Sequence, residues 1–140
     1  MNPKITCFNE KEKTAMAINL AKGRELLKQF AVQPNTTADA KLLDEIFSQW
    51  ANNKQNDFSR EDIANGLGSL FGELLKNDFG CAWQMIEDRY GSEPAVIHEL
   101  TGSIVFPINA VWKRIEPELD DKPFFLPMWQ AFKEHLARQQ

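Results

Sequence analysis

The side chains here that could do chemistry are few, beginning with two histidines, His98 and His135, and two cysteines, Cys7 and Cys81. A thiol within reach of an imidazole would be a nucleophile and its base. The hairpin register expected below sets Cys81 opposite Gly102 and His98 opposite Met85, which holds the two apart. Cys81 then reads as a small buried hydrophobe. His98 remains the one candidate polar site, on a face that is otherwise apolar. His135 falls near the end of the last helix, where a cation complements the helix dipole. The sequence has no HExxH, paired CxxC or EF-hand pattern. Folding could gather Asp57, Glu61, Asp62, Glu87 and Asp88, yet acids at helix starts ordinarily answer the helix N-terminus. No catalytic residue, cofactor site or metal ligand is assigned.

Recognition is the other chemistry available. In Asp88-Arg89-Tyr90-Gly91, Asp88 can bond turn amides or pair with Lys113 or Arg114, while Tyr90 covers the hairpin end. Gly91 supplies a positive φ. This segment is either a structural corner or a recognition site. Phe124-Phe125-Leu126-Pro127-Met128-Trp129 is equally double-edged. It can anchor the last helix to the core, or offer Phe124, Phe125 and Trp129 as an apolar docking patch. Gly66, Gly68 and Gly72 lie within a helical pattern and each costs about 1 kcal/mol against alanine. Gly68 and Gly72 share a flank, so they admit either a packed backbone or a small ligand. No phosphate-loop or dinucleotide pattern accompanies them.

These residues must be positioned by a chain of 140 residues with 43% hydrophobic and 11% aromatic content. That composition suits one domain with a self-sufficient core and argues against disorder. Sixteen basic residues against 20 acidic ones leave a net charge of −4. Without a dense basic run, nucleic-acid binding is not expected. The N-terminal segment has no apolar signal core and no stretch is long enough to span a membrane, so a cytoplasmic location is expected.

Periodicity sets out the elements. Helices are expected over Glu10–Phe30, from a cap at Thr36 and Asp39 through the stripe Leu42, Leu43, Ile46, Phe47 and Trp50, and from Ser59 to near Gly80. A three-stranded antiparallel meander follows: Cys81–Tyr90, then Ala95–Leu100 after a Gly91-Ser92 loop, then Ile104–Phe106. Its apolar face would carry Trp83, Met85, Val96, His98, Leu100, Ile104 and Phe106, and its wetter face Gln84, Asp88, Glu99 and Thr101. Pro107 opens a helix that Pro117 closes, and a last helix runs from about Pro127 to Arg138. The expected fold is α+β, a three-stranded sheet with helices packed before and after it, as one domain over 1–140.

Taken in order, Leu67-Gly68, Gly72-Glu73, Trp83, Asp88-x-Tyr90-Gly91, Phe106-Pro107 and Lys113-Arg114-Ile115 resemble a bacterial family of domains of unknown function, DUF3806. The resemblance covers about Gly66 to Glu116. It implies a small α+β domain and brings no reaction, cofactor or catalytic residue. The function expected is a non-catalytic protein-binding module of immunity, adaptor or regulatory type. The alternatives are a small hydrolase or transferase using His98 with nearby carboxylates, and a small-ligand binder beside Gly68 and Gly72. The expected partner is another protein, not nucleic acid or a membrane.

Overall fold

The computed structural model describes residues 3–30, 39–53 and 57–139. In chain order the elements are β1 (Lys4–Thr6), α1 (Glu10–Phe30), α2 (Ala40–Asn52), α3 (Arg60–Phe79), β2 (Cys81–Asp88), β3 (Gly91–His98), β4 (Ile104–Val105), α4 (Pro107–Ile115) and α5 (Phe125–Arg138). The fold is α+β with an antiparallel sheet ordered β1-β2-β3-β4. The fourth strand, β1, adds Lys4–Thr6 to the outer edge of β2. Its three residues are all exposed, so it has no apolar alternation for a sequence pattern to reveal.

Local chemistry fixes the helix ends. Asn9 and Glu12 exchange side-chain-to-amide bonds of 2.8 Å at the start of α1. Asp39 accepts from the Leu42 amide to cap α2, and its expected partner Thr36 lies outside the described residues. Ser59 and Asp62 form a reciprocal capping box on α3, which Gly80 ends at φ 74°.

Helix α3 is the central element, and its glycines explain how. A Cβ on Gly66 would lie 3.1 Å from the Gly23 amide nitrogen of α1, and one on Gly68 would lie 2.6 Å from the Ile108 Cα of α4. A Cβ on Gly72 would collide with the Trp83 indole of β2. The three glycines therefore serve three different neighbours. The space beside Gly68 and Gly72, where a ligand groove was an alternative, is filled by Ile108 and Trp83.

The hairpin register differs from the expected one by four residues. The observed pairs are Cys81 with His98, Trp83 with Val96 and Met85 with Pro94, and the loop is Arg89-Tyr90 rather than Gly91-Ser92. Aspartate at the first and glycine at the fourth position of the turn explain this. Asp88 Oδ1 accepts from the Tyr90 amide at 2.8 Å, and Gly91 takes φ 130°. Because the shift is even, Trp83, Met85, Val96 and His98 keep their common face, which lies toward α3. Ile104 does not: it pairs with Ile97 and stands on the opposite face, while Leu100 sits in the β3–β4 turn at 87% exposure.

Strand β4 is short for a reason that can be read from its register. His98 N–H donates to Ser103 O at 2.8 Å, so hydrogen-bonded pairs recur at alternate positions, His98–Ser103 then Val96–Val105. The next such pair would be Pro94 with Pro107. Neither has an amide hydrogen, the ladder stops, and the chain turns into α4.

Helix α5 begins at Phe125, two residues before the expected start at Pro127, because α2 caps it. Asp44, buried on α2, accepts from the Phe124 and Phe125 amides through Oδ1, both at 2.8 Å, and from Leu126 through Oδ2 at 2.9 Å. Pro127 has no amide hydrogen and the Met128 amide makes the first helical bond back to Phe124 O. Every donor of the first turn is thereby satisfied. Replacing Asp44 by alanine strands three amides in a mostly buried site and should cost about 3 kcal/mol, read as a lower urea midpoint. Asp44→Asn keeps an acceptor oxygen and should lose clearly less, whereas equal losses would show that the capping bonds are not what holds α5.

Candidate functional site

The corrected register brings Cys81 and His98 together as direct cross-strand partners, both buried. Their expected separation is overturned, yet the pair is not arranged for nucleophilic chemistry. Burial, with the Glu99 carboxylate adding to it, pushes the Cys81 thiol up to about 11, so it stays protonated near neutrality. The Thr101 amide donates to His98 Nδ1 at 3.2 Å, so that ring nitrogen is engaged in the turn and not with the Cys81 thiol.

His98 belongs instead to a polar chain that the sequence did not suggest. Its Nδ1 lies 2.9 Å from Thr101 Oγ1, Thr101 Oγ1 lies 2.8 Å from Ser103 Oγ, and Ser103 Oγ lies 3.0 Å from His135 Nε2. The chain ties the β3–β4 turn to the C-terminal part of α5. With Phe132 edge-on to His98 at 6.4 Å, it closes the helix-covered end of the sheet. Only the turn geometry at positive-φ Gly102, set by three dimensions, reveals it.

Of the candidate interaction residues, Phe124 and Phe125 are fully buried and stacked at 4.2 Å, so they anchor α5 and present no docking patch. Trp129 is half-buried, donates to Asp78 Oδ2 at 2.9 Å and packs on Phe79. Asp88 and Tyr90 stand apart from these at the hairpin tip. Tyr90 is 82% exposed, and Arg89 both donates to its hydroxyl at 2.8 Å and lies 4.9 Å from its ring centre.

Beside that tip lies a cleft that the sequence reading missed. A cavity of about 210 Å³ is lined by Ile86, Asp88, Tyr90, Gly91, Glu93 and Phe106, among others. Phe106 also lines a second cavity of about 440 Å³, with Val105, Asn109, Lys113, Arg114 and Met128. Burial raises the Glu93 carboxyl above its ordinary value, Asp88 adds to the rise, and Lys113 opposes it. Arg114 is engaged locally, 3.1 Å from Asp120 and over the Phe124 ring. Lys113 is exposed.

The sheet face away from α3 is more apolar than expected. By alternation it carries Ile5, Ile86, Ala95, Ile97 and Ile104, and Phe106 follows in the same parity. Ile5 is 46% and Ile104 is 40% exposed. Among the described residues the helices that touch the strands as packed elements are α3 and α4, and α3 meets the Trp83 face. Expecting a tight turn at Thr101-Gly102 set Ile104 beside Leu100 instead of Ile97, an odd shift that put Ile104 on the other face.

The family model for a domain of unknown function (DUF3806) matches residues 39–124. The chain belongs to that family. The matched stretch runs from the Asp39 cap to Phe124, so it takes in Asp44 with the first of the three amides it holds and every residue of the two cavities except Met128. A crystal structure of a protein from Bacteroides thetaiotaomicron VPI-5482 at 1.50 Å resolution superposes with a TM-score of 0.73 at 13% identity, over 96% of this chain and 48% of that one. At that identity the likeness is one of fold, and the chain spans about half of that protein's length. No curated protein matches the sequence. Among the described residues there is no cluster of three or more metal-ligating side chains and no helix long and apolar enough to cross a membrane.

Two predictions follow from these environments. In the native protein at pH 8, a thiol reagent such as dithionitrobenzoate should label exposed Cys7 quickly and protonated, buried Cys81 slowly, with both reacting in denaturant. Rapid modification of Cys81 in native protein would contradict the environment described. For Glu93 the folded-state value is raised, so the fold favours the protonated acid and is weakened once pH rises through it. Glu93→Gln should therefore melt slightly higher than the parent at pH 7. The difference should vanish below the ordinary value of 4.5, where the parent carboxyl is neutral in both states. A variant that melts lower at pH 7 would refute this.

Proposed function

We propose that this chain is a non-catalytic protein-binding module of a bacterial cell, acting in the cytoplasm as an immunity, adaptor or regulatory protein. The observation that supports this reading is the sheet face opposite α3, where Ile5 and Ile104 stand 46% and 40% exposed beside half-buried Ile97 and Phe106. Between them Ile86 and Ala95 are buried, so the exposed apolar side chains stand on the two edge strands of this face, and such side chains suit a protein interface better than they suit solvent. Asp88, Glu93 and Lys113 lie near it, and Tyr90, in contact with Arg89, projects at the hairpin tip. Tyrosine and arginine are the side chains that most often dominate binding energy at such surfaces. The net charge of −4 mildly favours a basic partner.

The test compares two baits in a pull-down from native lysate at moderate salt, the parent chain and an Ile5→Lys/Ile104→Lys double variant. Both substitutions stand on exposed side chains, so the variant should keep its circular dichroism and melting profile. A partner recovered in stoichiometric amount by the parent should fall at least tenfold with the variant. Undiminished recovery by a folded variant, or no partner with either bait, would overturn this docking surface.

A further inference from the structure

The cleft at Phe106 has two ends of opposite charge. Asp88 and Glu93 line the smaller cavity with Tyr90, while Lys113 and Arg114 outnumber the single acid Asp120 in the larger one, and Phe106 lines both. Val105, Ala110 and Met128 make the larger cavity apolar away from its cations. Lining residues reach from Gly91 to Val105, which pairs with Val96, and five strand positions separate Gly91 from Val96. At ~3.3 Å per residue that is about 16 Å, the reach of an extended segment of about five residues.

How such a segment would be read also follows from the register. Hydrogen-bonding positions on this side of β3 beyond Val96 fall at Pro94 and Ser92. Pro94 has no donor, so an added strand could not continue the ladder, and side chains must carry the recognition. The ends supply it. A basic side chain between Asp88 and Glu93 gains two carboxylates, one of them already disfavoured as a bare anion. An acidic side chain at the far end meets Lys113, while Arg114 is held by Asp120.

Building on the binding-module reading, we infer that this cleft receives an extended peptide segment of the partner protein, with a basic residue at the Asp88–Glu93 end, an apolar residue over Phe106 and an acidic residue at Lys113. Pairing opposite charges at both ends fixes the direction of the segment and rejects chains of a single sign.

The probes are fluorescein-labelled, end-capped pentapeptides: Arg-Ala-Leu-Ala-Glu, its reverse Glu-Ala-Leu-Ala-Arg, and a neutral Gln-Ala-Leu-Ala-Gln. Binding to the full chain is followed by anisotropy at low salt and located by amide NMR shifts. One of the two charged peptides should bind at least tenfold more tightly than the neutral one, with shifts at Glu93, Phe106 and Lys113. Lys113→Glu should abolish that preference, and a probe ending in arginine at both termini should then bind better than the parent peptide. Equal binding of charged and neutral peptides, shifts away from the cleft, or no binding would overturn the inference. The outcome is independent of the pull-down, since Ile5 and Ile104 line neither cavity. Peptide failure with an intact pull-down removes the cleft and leaves the sheet face as the docking surface.

Discussion

One buried carboxylate sets how the last third of the chain meets the first. Asp44 on α2 gathers the amides of Phe124, Phe125 and Leu126, which lie 80, 81 and 82 positions further along the chain. A charged acceptor in that place is stronger than a neutral one, and it faces the positive end of the helix it caps. Its reach determines where α5 starts and how Phe124 and Phe125 enter the core. There Phe124 meets Phe47 edge-on at 5.1 Å and Phe125 meets Phe71 at 5.2 Å. Arg114 then lies over Phe124 while holding Asp120, so the α4–α5 connection is ordered from the same point. The polar chain from His98 to His135 fastens the other end of α5 to the sheet.

The glycines of α3 solve a different problem. A helix flanked by α1, α4 and β2 cannot give each neighbour a full side-chain layer. Gly66, Gly68 and Gly72 let Gly23, Ile108 and Trp83 approach instead. The helix propensity lost, about 1 kcal/mol per glycine, is offset by close packing on three sides. Trp83 gains a further tie, its indole N–H donating to Glu73 at 2.7 Å. With α3 drawn this tightly onto one face of the sheet, Ile5 and Ile104 on the other face stay partly exposed.

Much of this was legible in the residue pattern, because helices advertise themselves through periodicity and caps. The bounds of α1, the Ser59–Asp62 box and the Pro107 start all sit where the pattern puts them. Asp44 was not legible, since an acid within Leu-Leu-Asp-Glu-Ile-Phe reads as a solvent position until its partners come from eighty residues away. The hairpin was misread at a single turn. Choosing Gly91-Ser92 over Arg89-Tyr90 slid β2 past β3 by four residues, which preserved faces and lost neighbours. Hence the faces of Trp83 and Val96 were right while the adjacency of Cys81 and His98 was missed. Burial then leaves that pair chemically quiet, a property of environment that residue identity does not carry.

The prolines link this register to recognition. Were Pro94 and Pro107 residues with amide hydrogens, the Val96–Val105 pair could be followed by another, and β4 could run on along β3. It would then cover the edge where the cleft opens. Stopping the ladder there turns the chain into α4, whose Lys113 lines the larger cavity, with Phe106 left on the outer face lining both cavities. The same missing donors make that edge a poor template for an intruding strand, so an exposed edge is kept without inviting aggregation. An opening bounded by aromatic and charged side chains, beside backbone that cannot pair regularly, selects partners by side-chain identity rather than by strand addition.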